Sequence, residues 1–228
     1  MAKKKDKTYK KLKQQERQKQ KRKDTLTKAG VGVLAIIFLV GIITLFSYAG
    51  GSQNYIPGHD DRPGVGPEDA EIVFLQFGCY TCPFTKQFNL QVANQLIEEY
   101  GDRVRFVYRS VPITRTIGSE LAAQAGKCAD DQGLFLEYSN LIFASNSYTT
   151  DTFRSFAQQL NMDVDEFIEC LSSGKYADEV AEDVAESRRA AITVTPTVFI
   201  DGVRINGVHD ITLYRRVLND KLAEYGIE

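Results

Sequence analysis

The sequence predicts an α/β domain with a helical insertion, preceded by one N-terminal transmembrane helix. Three observations support this prediction: an uncharged apolar segment near the N-terminus, an apolar run that ends at two cysteines and is followed by a helical pattern, and a late proline that opens a β-rich run. The elements of the domain follow in the order β-α-β, then four or five short helices, then β-β-α.

Charge is distributed very unevenly along the chain. The first 28 residues contain 13 Lys or Arg and three acidic residues, a net charge of +10. Since the whole chain has 28 basic and 30 acidic residues, 15 basic and 27 acidic residues remain beyond position 28, a net charge of −12. The segment from Ala29 to Tyr48 is uncharged, and as a helix it spans roughly 30 Å, the thickness of the hydrocarbon core of a bilayer. We predict a basic cytoplasmic tail (1–28) and a transmembrane anchor (29–49) in the cell membrane, with the C-terminal domain extracytoplasmic.

A cleaved signal peptide is the alternative interpretation of this N-terminus, because Ser47-Tyr48-Ala49 resembles a cleavage site. The long basic region, and an apolar stretch beyond the length usual for a signal peptide, favour a retained anchor. Under both interpretations the C-terminal domain is exported. A basic tail beside a membrane span is explained by topology or by contact with anionic lipid, so we expect the lipid bilayer and no nucleic acid as a partner.

Residues 50–70 are rich in glycine and proline and lack apolar periodicity, which is typical of a flexible linker. The remaining residues, 71–228, suit one domain with one core. The apolar run Glu71–Phe77 indicates a buried strand. Apolar residues then recur every three or four positions up to Gly101, which predicts a helix, and Arg103–Tyr108 alternates as a strand does.

The second half of the domain has a different pattern. Residues 117–191 contain almost no strand signal and read as short helices separated by turn-forming residues. Thr197–Asp201 is predicted to be a strand, Asp201-Gly202 a tight turn, and the following four residues the partner strand of a hairpin. Asp210 is expected to cap a last helix, Ile211–Tyr225.

Cys79 and Cys82 stand three apart, between the first predicted strand and its helix. A helix N-terminus stabilises a thiolate, so redox-active sulfur is expected there. A structural disulfide, two buried thiols or half of a metal site are the alternatives. Tetrahedral zinc needs four ligands, and the two histidines of the chain, His59 and His209, are poorly placed. We therefore expect no metal and no cofactor.

The element order, with cysteines after the first strand and a proline before the hairpin, resembles the DsbA family of thioredoxin-like thiol–disulfide oxidoreductases. The resemblance covers residues 65–225. It is most specific in two segments: Phe77-Gly78-x-Tyr80-x-Cys82-Pro83-Phe84, and Thr195-Pro196-Thr197-Val198-Phe199-Ile200-Asp201-Gly202. It implies a thioredoxin-like fold with a cis peptide bond before Pro196, next to the sulfurs. It also implies that Thr195, Pro196 and Phe84 bind an extended substrate chain.

The cysteine pair departs from the pattern of this family, in which the resolving cysteine lies three residues after the attacking one. Aligned without gaps, the family's attacking cysteine matches Cys82, while Thr85 occupies the resolving position and Cys79 lies upstream. Either Cys79 attacks and Cys82 resolves, or Cys82 attacks and Cys79 resolves. We favour the second assignment, because Pro83 at the first helical position makes Cys82 the cap of the helix and helix-terminal amides lower a thiol pKa.

A second departure is Gln76, at a position where several family members carry a buried acid that manages protons for the resolving thiol. The proton acceptor in this chain is therefore unassigned.

Two further segments resemble DsbA-like proteins that have an extra cysteine pair: Lys127-Cys128-Ala129-x-x-Gln132-Gly133 and Phe167-Ile168-Glu169-Cys170-Leu171. Four cysteines allow three pairings, and an even number in an exported domain favours bridges. We expect a structural Cys128–Cys170 disulfide between two helices of the insertion. The alternative is two small buried residues that never meet.

The resemblance implies thiol–disulfide exchange on cysteine-containing exported polypeptides, and we predict an oxidase that forms disulfide bonds. Such an oxidase requires a membrane reoxidant, of the DsbB or vitamin K epoxide reductase type in this family. A reductase or an isomerase on the same fold is an alternative, although isomerases usually dimerise through an additional domain. A non-catalytic, membrane-tethered holdase is another, supported by Thr85 in the resolving position.

Overall fold

In the part of the chain that the structure describes, five strands form one sheet. A computed structural model describes residues 57–58, 62–112 and 116–227. Within them the strands are β1 (Gly64–Val65), β2 (Ile72–Gly78), β3 (Val104–Ser110), β4 (Thr197–Ile200) and β5 (Val203–Asn206). Their spatial order is β1-β3-β2-β4-β5. The β2–β3 pair is parallel and the other three pairs are antiparallel.

The helices occupy the positions that the sequence predicts. After β2 the chain runs through α1 (Pro83–Phe88), a π-helical segment (Asn89–Ala93) and α2 (Asn94–Tyr100). The insertion after β3 contains α3 (Ser119–Asp130), α4 (Phe135–Ala144), α5 (Thr150–Gln159), α6 (Val164–Ser173) and α7 (Ala177–Arg189), and α8 (Ile211–Tyr225) follows β5. The predicted order of β-α-β, helical insertion and β-β-α is confirmed.

The hairpin and the last helix follow from local chemistry. Asp201 and Gly202 both have positive φ, 42° and 82°, as a two-residue hairpin turn requires. Asp210 accepts a hydrogen bond from the amide of Thr212 at 2.9 Å and so caps α8. The turn and the cap are confirmed, and both depend on residues adjacent in sequence.

The predicted cytoplasmic tail (1–28) and transmembrane anchor (29–49) lie outside the described residues. Among the helices of the described ranges, none combines the length and the apolar character needed to cross a bilayer. The predicted linker (50–70) is described in part, and there it does not hold. Gly64 pairs with Val107 in β3, so residues 62–70 belong to the folded domain. A two-residue strand is too short for its pattern to be recognised in sequence.

The two faces of the sheet are covered by different helices. Alternate residues of a strand point to opposite faces. Phe74 and Phe106 pack with residues of α1, α2 and α8, whereas Leu75, Phe77 and Val107 pack with Val184 and Ala190 at the C-terminal end of α7. The sheet is therefore a middle layer with helices on both faces.

The insertion has its own apolar core, formed by residues of α3 to α6. Cys128 in α3 and Cys170 in α6, for which we predicted a bridge, are joined by a disulfide with Cα atoms 5.9 Å apart. This bond connects two helices through cysteines that are 42 residues apart in sequence. The core of the insertion also includes Tyr80 and Tyr108, which come from the thioredoxin-like part of the chain.

A buried network of ion pairs joins the sheet, the insertion and the segment before β1. Asp183 of α7 is fully buried, and its Oδ1 accepts hydrogen bonds of 2.8 Å from Nε of Arg62 and from Nε of Arg109 in β3. The ammonium of Lys127 in α3 lies 3.1 Å from Oδ2. Arg109 also donates to the carbonyl of Gly58. Because an unpaired buried charge is costly, these groups depend on one another.

Replacing the central carboxylate tests this network. Asp183→Ala should lower the free energy of unfolding by about 3–5 kcal/mol, because Arg109 would stay buried without its counter-charge. Glu182→Gln is the control. That carboxylate also pairs with Arg62 but is 67% exposed, so its loss should cost about 1 kcal/mol at most. Urea denaturation followed by circular dichroism measures both values, and equal small losses would contradict the expectation.

Candidate functional site

Cys79 and Cys82 bound a tight loop between β2 and α1, which we call the cysteine loop (residues 79–82). The amide of Cys82 donates to the carbonyl of Cys79 at 3.0 Å, which closes a turn. Cys82 is the N-cap of α1 with extended backbone, and Pro83 is the first helical residue. The carbonyl of Cys82 accepts a hydrogen bond from the amide of Lys86 at 3.0 Å. The prediction that Cys82 caps the helix is confirmed.

Both thiols of the cysteine loop are buried, but to different degrees. Cys79 is 1% exposed and Cys82 is 7% exposed. Cys79 Sγ lies 3.2 Å from the hydroxyl oxygen of Thr81. Because Cys82 is the more exposed of the two, its sulfur is the one nearer to the surface. As the N-cap, Cys82 also lies at the positive end of the helix dipole. Cys79 lies deeper, directly after the last residue of β2.

Thr85 occupies the position of the family's resolving cysteine, and here it has a structural contact instead. Its side chain is fully buried, and its hydroxyl oxygen accepts a hydrogen bond from the amide of Cys79 at 3.4 Å. Thr85 thus connects the first turn of α1 to the start of the cysteine loop.

The peptide bond between Thr195 and Pro196 is cis, as predicted. The register of β4 against β2 pairs Thr197 with Phe77, so the next residue of each strand places Pro196 beside Gly78 at the start of the cysteine loop. Both residues of the cis bond are buried. The sheet therefore brings the loop that contains Thr195 and Pro196 next to the cysteine loop, although the two loops are more than a hundred residues apart in sequence.

Two large apolar side chains near these loops are exposed. Phe84, in the first turn of α1, is 66% exposed, and Val194, directly before the cis bond, is 44% exposed. Exposed apolar side chains beside a reactive group are typical of a binding surface. The predicted contribution of Phe84 to substrate binding stays a prediction.

Tyr80, inside the cysteine loop, points into the insertion. Its ring is buried and its hydroxyl lies 2.8 Å from that of Ser139 in α4. Burial raises the pKa of Tyr80 far above its ordinary value, while the hydrogen bond with Ser139 opposes this rise. The hydroxyl packs so closely on Gly126 of α3 that a methyl group there would overlap it.

Tyr108, near the C-terminal end of β3, was not identified by the sequence analysis. Burial raises its pKa well above the ordinary value, charge on Tyr80, Cys79 and Cys82 raises it further, and the hydroxyl of Ser110 opposes the rise. These groups lie close together only because β3 runs parallel to β2. Its position at an inward-facing site near the end of a predicted strand was the one signal that the sequence contained.

The site and the fold define a thioredoxin-like protein with a helical insertion and a two-cysteine loop. A family model described as "Thioredoxin" matches residues 59–220. The chain belongs to this family. Among curated proteins, the Na(+)/H(+) antiporter NhaA 1 of Salinispora arenicola is 31% identical over 159 residues, which are 68% of this chain and 24% of the antiporter. The chain therefore spans about a quarter of the length of that relative.

Solved structures of DsbA-like proteins share the fold. BdbD from Bacillus subtilis is similar with a TM-score of 0.64 and 22% identity, covering 73% of this chain and 96% of BdbD. DsbA of Chlamydia trachomatis gives a TM-score of 0.66 at 18% identity and covers 76% of this chain and 98% of its own. At these identities the likeness establishes a DsbA-like thioredoxin fold.

The contact between Tyr80 and Gly126 gives a test of how the insertion holds the cysteine loop. Gly126→Ala should lower the free energy of unfolding by about 1–3 kcal/mol, because the added methyl group overlaps the Tyr80 hydroxyl. This outweighs the gain of about 1 kcal/mol that alanine normally brings to a helix interior. Urea denaturation measures the change.

The matched variant is Gly126→Ala combined with Tyr80→Phe, which removes the overlapping hydroxyl. In the Tyr80→Phe background the cost of the alanine should fall by more than half. An undiminished cost in that background would mean that Tyr80 is not the group that fills the space above Gly126.

Proposed function

We propose that this protein is a thiol–disulfide oxidoreductase that acts on cysteine-containing exported polypeptides. The observation that carries the proposal is the meeting of the cysteine loop, at the N-terminus of α1, with the cis-proline loop before β4. A thiolate at a helix N-terminus is stabilised by the amides of the first turn. A neighbouring loop that pairs its backbone with an extended chain can hold that chain next to the thiolate.

In this proposal Cys82 is the attacking sulfur and Cys79 the resolving one. Cys82 caps the helix and is the less buried of the two. The Cys82 thiolate attacks a substrate disulfide, whose S–S bond breaks, so that one substrate sulfur leaves as a thiolate and the other forms a mixed disulfide with Cys82. Cys79 then attacks Cys82, the mixed disulfide breaks, and the second substrate sulfur leaves as a thiolate. Oxidation of a substrate dithiol is the same sequence in reverse.

The substrate surface comprises Phe84, Val194 and the backbone around Thr195 and Pro196. The two exposed apolar side chains come from separate segments of the chain, one in α1 and one directly before the cis bond. An extended segment with an apolar residue near its cysteine fits this arrangement, because it can pair its backbone with the loop and bury its side chain on Phe84.

We propose the oxidase direction, with reductase and isomerase as the other directions available to the same site. An oxidase needs an acceptor for the electrons it collects, and a membrane reoxidant of the DsbB or vitamin K epoxide reductase type would provide one. The uncharged segment 29–49, with the basic residues before it, supports attachment to the cell membrane with the domain on the extracytoplasmic side. Enzyme and reoxidant would then share a membrane.

Substrate trapping tests the assignment of the two cysteines. Cys79→Ala should accumulate mixed disulfides through Cys82, because the attack that releases the substrate is removed. Cys82→Ala should accumulate none, and the double variant is the background control. Non-reducing electrophoresis after expression in cells detects the adducts. Trapping by Cys82→Ala alone would reverse the roles, and trapping by neither would favour the holdase.

The reduction potential tests the direction. The purified protein is equilibrated with glutathione buffers, and alkylated Cys79 and Cys82 are quantified by mass spectrometry. We expect a reversible couple near the roughly −120 mV of DsbA, since a stabilised thiolate favours the reduced form. A value near the roughly −270 mV of thioredoxin would instead make the protein a reductase. The Cys128→Ala/Cys170→Ala variant controls for the other disulfide.

A further inference from the structure

A small cavity lies between the sheet, the helical segments after α1, and α4. Its volume is about 30 Å³. Gln76 and Tyr108 line it from β2 and β3, and Asn94 and Asn140 line it from α2 and α4. The amide of Asn94 donates to the side-chain carbonyl of Asn140 at 3.0 Å, and both residues are partly exposed. The cavity thus extends from the buried sheet towards the surface.

Two of the residues that line this cavity have a buried polar atom with no hydrogen-bond partner of normal geometry among the described residues. These atoms are Nε2 of Gln76 and Oη of Tyr108. The two residues are opposite each other in the parallel β2–β3 pair, so their side chains leave the same face of the sheet. An unsatisfied buried polar group costs about 1–3 kcal/mol. A cavity of this size holds one water molecule, which needs polar partners of this kind.

Tyr108 also reaches the cysteine loop. A methyl group on Gly78, the residue before Cys79, would lie 2.8 Å from the Tyr108 hydroxyl and 2.7 Å from its ring. The ring of Tyr108 packs on that of Tyr80, with centroids 5.1 Å apart. The hydroxyl is therefore placed between the cavity on one side and the backbone that leads into Cys79 on the other.

We propose that Gln76, a water molecule in this cavity and the Tyr108 hydroxyl form a neutral proton path that serves Cys79. This inference rests on the proposed function, in which Cys79 is the resolving sulfur. The path provides the proton acceptor that the sequence leaves unassigned, and it contains no buried acid. Gln76 donates to the water and holds it in place, and Tyr108 is a positioning and relay residue.

The path operates in the resolving step. In the mixed disulfide the Cys79 side chain turns towards Tyr108 Oη, which has no hydrogen-bond partner of normal geometry in the resting protein. The thiol then gives its proton to that oxygen while Tyr108 gives its own proton to the water, which passes a proton on to solvent through the mouth at Asn94 and Asn140. The Cys79 thiolate then attacks Cys82. The Cys79–Cys82 bond forms, the bond between Cys82 and the substrate sulfur breaks, and its electron pair leaves with that sulfur, which takes a proton from solvent.

Tyr108 stays a neutral hydroxyl throughout. The titratable groups that face it are Tyr80, Cys79 and Cys82, and together with burial they keep its pKa well above the ordinary value. A hydroxyl with such a pKa does not ionise at neutral pH, but it can accept one proton while it releases another. In the reverse direction the same hydroxyl donates to the Cys79 thiolate as that sulfur leaves.

The experiment separates the two sulfur steps in the reduced protein. Dithiobis(nitrobenzoate), an aromatic disulfide, releases one coloured thiolate when Cys82 attacks it and a second when Cys79 resolves the adduct. In Tyr108→Phe the second release should slow roughly tenfold at neutral pH, because one hydrogen bond to a charged sulfur is lost. The pH at which the second release reaches half of its maximal rate should rise by about one unit. The first release should be unchanged.

Two further variants complete the test. Gln76→Met keeps the length of the side chain but cannot hold the water, so it should slow the second release and shift its pH dependence in the same direction. Tyr138→Phe is the control, since Tyr138 is buried and its hydroxyl donates to the carbonyl of Phe153 at 2.8 Å, within the insertion. It should leave both releases unchanged.

The outcomes distinguish the inference from the function on which it rests. No second release from the unsubstituted protein would show that Cys79 and Cys82 are not an exchanging pair, and the proposed function would fail. Two releases from that protein with an unaltered second release in Tyr108→Phe would overturn the proton path alone. If Tyr108→Phe does not fold, Gln76→Met decides: an unshifted pH profile of its second release contradicts the path.

Discussion

The pairing of β2 with both of its neighbours is the constraint on which the site depends. β2 ends at Gly78, so Cys79 lies directly after the C-terminal end of this central strand. The parallel register with β3 places Tyr108 opposite Gln76. The antiparallel register with β4 places Pro196 at the same end of β2 as Cys79. A shift of either register by one residue would turn these side chains to the other face.

The insertion contributes to the site as well as covering the domain. Tyr80 leaves the cysteine loop and packs into the core of the insertion, where Ser139 and Gly126 contact its hydroxyl. On the other face of the sheet, Asp183 connects α7 to Arg109 of β3. The cysteine loop is therefore held by contacts with the insertion, which links the stability of the insertion to the geometry of Cys79 and Cys82.

Several features were predictable because they depend on near neighbours in sequence. Pro83 after Cys82 indicates the start of a helix, Asp201-Gly202 indicates a hairpin turn, and Asp210 indicates a cap. The two-residue strand β1 was missed because its pattern is too short to recognise. The π-helical segment in the middle of the helix after β2 also has no signal in the periodicity, since its residues continue the same apolar spacing.

The sequence by itself determined the element order, the position of the cysteines at a strand-to-helix junction and the proline before the hairpin, because each is encoded by local periodicity or by turn and cap chemistry. Only the tertiary structure decided that Tyr108 faces Gln76 across a cavity and that Arg109 meets Asp183. Those pairs come from separate segments, and their meeting depends on strand register and helix packing, which many long-range contacts settle together.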